Sequence, residues 1–166
     1  VYALKRFGEL GHEVVFYRWD WKVCPEEGAK RLREKLEALV AGRPGAKLVR
    51  VFGHSYGGVI TALMAQQGSL SLPMEVHVIA APLAGMGKMK TLCGFSGVGP
   101  APADAKIRWF QWRTQHQLDG AFRDLPTDPQ VVMLGVGKVE TLPETYRGRR
   151  LGHNWSVSWV ADQVSP

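Results

Sequence analysis

Ser55 stands between two glycines, Gly53 and Gly57, where an apolar run meets a run of small and apolar residues. Before it, Leu48-Val49-Arg50-Val51-Phe52 reads as a strand within Lys47 to Phe52, and after it Gly58 to about Gln67 reads as a tightly packing helix. No room is left between them for a loop. Gly53 and Gly57 are expected where neighbouring backbones come too close for a Cβ. A strand that turns directly into a helix must hand the chain to a further strand running the same way, so this segment points to a parallel sheet wrapped by helices.

The rest of the chain extends that alternation. Tyr2 to Leu10 reads as a short helix closed by Gly11, followed by a β-branched and aromatic run from Val14 to Trp19 that is expected to be a strand. Pro25-Glu26-Glu27 opens the clearest helix, with Pro in the first turn and acids at the positive end of the dipole. Its Ala29, Leu32, Leu36, Leu39 and Val40 share one face, and Gly42-Arg43-Pro44-Gly45 ends it. Further strands are expected over Glu75 to Ala81, Ile107 to Trp112 and Val131 to Val136, and a last helix near Asn154. The expectation is one domain over residues 1–166: a three-layer α/β/α sandwich on a mostly parallel sheet of about five strands. Residues 83–105 form a long Gly-, Met- and Pro-rich connection of the kind used as a lid or binding loop.

Composition removes other classes. A hydrophobic fraction of 45% with 22% charged residues suits a soluble globular chain. No apolar run has the length of a membrane helix. Cys24 and Cys93 are too few for a zinc site or a disulfide framework, and read as two reduced thiols. The chain reads as soluble with no compartment fixed, a cytoplasmic setting being slightly favoured. The net charge of +6 raises a nucleic-acid or anionic partner. Against it, Lys30, Arg31 and Lys35 share a helix with glutamates, and Arg147-Gly148-Arg149-Arg150 is short, so no nucleic-acid partner is expected.

Gly53-His54-Ser55-Tyr56-Gly57-Gly58 resembles the nucleophile elbow of the α/β-hydrolase family, in particular its lipase- and esterase-like members. The resemblance runs from Val14 to Val164 and implies a serine hydrolase acting on a small-molecule acyl ester or thioester, without metal or organic cofactor. It implies Ser55 as nucleophile, with an acid and then a histidine later in the chain. Of His12, His54, His77, His116 and His153, only His153 lies late, before the final helix, and is the expected base. The acid is expected among Asp119, Asp124 and Asp128, with Asp119-Gly120 closest to the family's acid loop and Asp124 next.

The resemblance also implies an oxyanion hole with one donor from the backbone N–H of Tyr56. The second would come from a loop ahead of the strand expected at Val14 to Trp19, before Val1. The chain therefore reads as an N-terminally shortened hydrolase or one that builds the hole differently. Met86 and Phe95, with Met89 and Leu92, are candidate walls of an acyl pocket. A relative that has lost catalysis and serves as a binding protein is the alternative.

Overall fold

A computed structural model describes residues 1–166. Four strands, β1 (Val49–His54), β2 (Met74–Ile79), β3 (Ile107–Arg113) and β4 (Lys138–Thr141), form one sheet in the order β1-β2-β3-β4, every pair parallel. On one face lie α2 (Pro25–Ala41) and α3 (Tyr56–Ala65), and on the other α1 (Tyr2–Glu9) and α5 (Ser156–Gln163). A one-turn helix α4 (Lys88–Thr91) interrupts the long connection, and β5 (Thr145–Tyr146) pairs antiparallel with β6 (Arg149–Arg150). This is the expected three-layer sandwich in a shortened form.

The main core joins α2 and α3 to the sheet through Ala29, Leu32, Val59, Ile60, Val76 and Val78, all buried. Close approach there depends on glycine. A Cβ on Gly28 would lie 2.6 Å from Ile60 Cδ1, and one on Gly58 would lie 2.5 Å from Ala81 Cβ. A smaller cluster under α5 contains Ile79, Trp112, Leu142, Leu151 and Val160.

Three expectations are corrected. Val14 to Trp19 forms no strand; the run is irregular, and Val14, Val15 and Phe16 are exposed. An apolar run becomes a strand only where a neighbour takes up its backbone hydrogen bonds, and none lies beside it. The fourth strand is Lys138–Thr141 rather than Val131 to Val136, which is loop with Val131 and Met133 exposed. Gly137, at φ +77°, crosses so close to β3 that a Cβ would meet the Trp109 carbonyl oxygen at 2.3 Å, and only beyond it does the chain pair with β3. Finally, Cys24 and Cys93 are joined in a disulfide rather than reduced. That bond ties the long 83–105 connection to the residue that caps α2.

Candidate functional site

The turn at Ser55 follows from crowding. Strand β1 ends at His54 and α3 begins at Tyr56, so a single residue makes the turn, and Ser55 does so at φ 55° and ψ −126°. A side chain at such angles is strained by roughly 1–3 kcal/mol and persists only where its surroundings over-determine it. They do so here. The Ser55 N–H donates to the Ile79 carbonyl at 2.9 Å, and the Ser55 carbonyl accepts from Gly58 N–H at 2.9 Å. A Cβ on Gly53 would meet Thr61 Oγ1 at 2.4 Å and the Gly57 carbonyl at 2.6 Å. Gly58 is equally enclosed, but Gly57 is not: its Cβ would find nothing closer than Trp19 Nε1 at 3.9 Å. The glycines that the turn requires are therefore Gly53 and Gly58, rather than Gly53 and Gly57.

The side chain of Ser55 faces His153, with Oγ 2.9 Å from Nε2. On the other side of the ring, Nδ1 lies 2.9 Å from Asp119 Oδ2. With Asp119 ionised, Nδ1 carries the proton, and Nε2 is left to accept from the serine hydroxyl. Asp119 is fully buried. Its Oδ2 also accepts from the Thr114 hydroxyl, and its Oδ1 from Ala121 N–H at 2.8 Å. Burial pushes its carboxyl up, but the bonds from His153, Thr114 and Ala121 outweigh burial and hold it below the ordinary value. Asp124 is exposed and Asp128 is turned toward Gln130, so Asp119 is the acid that meets His153.

His153 is held from three sides. The Phe122 ring meets it edge-on at 5.0 Å. Its carbonyl accepts from Ser156 Oγ at 2.6 Å and from His54 Nε2 at 3.0 Å. His54 thus ties the end of β1 to the loop that carries His153, with the two rings 4.7 Å apart. Burial, then the charge of His153, lower His54 to about 4, so it stays neutral as a donor. Its position beside Ser55 was visible in the sequence, but its partner lies 99 residues away.

Around the start of α3, Tyr56 stacks on Trp19 at 4.7 Å and its hydroxyl donates to the Val23 carbonyl at 2.7 Å. The first amides of a helix have no partner within it, and the Tyr56 and Gly57 N–H groups follow Ser55 at that point. Phe95 is 3% exposed and belongs to the main core, whereas Met86 is half-buried against it. Cavities of about 240 Å³ beside Arg33 and Ser71 and of about 300 Å³ beside His116 and Glu144 are lined by neither Ser55 nor His153. No three His, Cys, Asp or Glu side chains converge as metal ligands, and no helix is long and apolar enough to cross a membrane.

Residues 20–90 match the model of a family described as Alpha/beta hydrolase. The matched stretch contains Ser55 and ends before Asp119 and His153. No curated protein and no solved structure matches the chain.

Proposed function

We propose that this chain, a member of the α/β-hydrolase fold family and so a hydrolase in kind, cleaves a carboxylic ester or thioester through an acyl-enzyme on Ser55. The observation that carries the proposal is the unbroken line from Ser55 Oγ to His153 to buried Asp119, with both contacts at 2.9 Å. A serine hydroxyl is a weak nucleophile until a base takes its proton. In this reading Ser55 Oγ attacks the acyl carbonyl while His153 Nε2 accepts its proton. Asp119 holds the ring and stabilises the imidazolium. The Tyr56 N–H, at the positive end of α3, donates to the developing oxyanion. His153 returns the proton to the leaving alcohol or thiol, and water then releases the acid by the same sequence. Met86, half-exposed on the 83–105 connection, is the proposed wall for the acyl group, with buried Phe95 as its support. The Cys24–Cys93 disulfide supports work in an oxidising compartment rather than the cytoplasm.

The test is labelling with a fluorophosphonate together with turnover of a p-nitrophenyl ester. One label per chain is expected on the wild type and none on Ser55→Ala, with turnover reduced on the order of 10⁵-fold or more. A folded wild type that takes no label and hydrolyses no ester overturns the proposal.

A further inference from the structure

Thr114 and Gln130 make a second buried layer behind Asp119. Thr114 follows the last residue of β3, where strand pairing has stopped, and both residues are 1% exposed. The side-chain amide of Gln130 takes the place of a neighbouring strand. Its Oε1 accepts from Thr114 N–H at 3.0 Å, and its Nε2 donates to the Thr114 carbonyl at 3.0 Å. Only one orientation of the amide satisfies both groups. Gln130 is itself fixed, since its carbonyl accepts from Gln111 Nε2 at 2.7 Å and its N–H donates to Asp128 Oδ1 at 3.0 Å. The Thr114 hydroxyl lies 3.1 Å from Gln130 Oε1 and closer still to Asp119 Oδ2. It has one proton, and the ionised carboxylate is the stronger acceptor.

We infer that Gln130 and Thr114 are positioning residues that act through Asp119: the Gln130 amide clamps the Thr114 backbone so that its hydroxyl is aimed at the same carboxylate oxygen that faces His153. The inference rests on the hydrolase reading. Thr114 and His153 share Oδ2, so the hydroxyl both fixes that oxygen and draws off part of its charge. Loss of the hydroxyl leaves Oδ2 less constrained and more basic. Turnover then falls, and the imidazolium of His153 is favoured, which moves the acid limb of the rate profile to higher pH. The other titratable groups facing this line are His54, against the His153 ring, and Asp128, beside the Gln130 amide.

The experiment compares Thr114→Val, Thr114→Ser and Gln130→Leu by ester turnover across pH, with folding checked by circular dichroism and Ser55 by fluorophosphonate labelling. Thr114→Val and Gln130→Leu are expected to lower kcat about tenfold, as for a lost hydrogen bond to a charged group. Their acid limbs should rise by about half a pH unit. Thr114→Ser, which keeps the hydroxyl, restores both. A purely structural role changes thermal stability and leaves the limb where it was. If wild type labels normally and folded Thr114→Val matches it in kcat and acid limb, the positioning role is overturned and the hydrolase reading stands. Should Gln130→Leu not fold, the Thr114 pair decides. A wild type that does not label removes both.

Discussion

The two faces of the sheet reach close packing by opposite means. Toward α2 and α3, side chains are removed: Gly28, Gly53 and Gly58 let helices and strands approach until no Cβ fits between them. Toward α1 and α5, side chains are added in register. Phe52, His77 and Phe110 occupy matched positions on three strands and stack at 4.4 and 4.6 Å, with Phe7 of α1 completing the column at 4.1 Å from Phe52. Beside it Arg50, Glu75 and Arg108 form a second matched row, with Glu75 hydrogen-bonded to Arg108 and His77 and ion-paired with Arg50. The proposed site lies at the seam. Ser55 is aimed by the glycine-packed side, and His153 comes from the α5 side, where His54 anchors it. A close helix fixes a turn, while stacked and paired side chains fix a loop.

Breaking the glycine side should have the largest effect. Gly58→Val puts a side chain 2.5 Å from Ala81 Cβ, and a loss of at least about 3 kcal/mol is expected in urea unfolding. Gly57→Ala, one residue earlier, would put its Cβ no closer than 3.9 Å to Trp19 Nε1, an ordinary contact, and should lose nothing. On the other face, Glu75→Ala leaves Arg50 without its buried partner and His77 without an acceptor, and should cost about 3 kcal/mol by the same measurement. An unchanged midpoint would mean that the charged row contributes nothing that ring stacking does not.

The seam is probed by pH. His54 has its proton affinity lowered to about 4, so the unfolded chain takes up a proton first. Its contribution to stability is complete above about pH 6.5 and is lost as pH falls toward 4. Between pH 7.5 and 5 the loss should be about 2 kcal/mol, and His54→Asn should flatten it. His77 is lowered in the same direction, chiefly by burial, and adds slope in the same window. A wild-type curve no steeper than that of the variant would detach His54 from the folded seam.

What could be read in advance followed local necessity. The strand–serine–helix junction and the Pro25 helix start are dictated by neighbours in the chain, and both stand where expected. The order of serine, acid and histidine that the resemblance implies left one late histidine, His153, and three aspartates, of which Asp119 is the one that meets it. The failures are non-local. Nothing within Val14 to Trp19 says whether a strand lies beside it. Lys138–Thr141 has every residue exposed and almost no apolar pattern, so only its pairing with β3 makes it a strand. Cys24 and Cys93 are 69 residues apart, and their pairing depends on where the long connection folds back. Thr114 and Gln130 belong to no motif, and only three-dimensional placement makes them neighbours of Asp119.

The backbone at Ser55 has one more implication. Its angles are those at which glycine is comfortable and any other residue is strained. Judged by folding alone, glycine would be the better occupant of position 55, and the chain would be more stable with it. A hydroxyl held where stability favours having no side chain is a strain that folding alone does not account for, and that the chemistry proposed for Ser55 does.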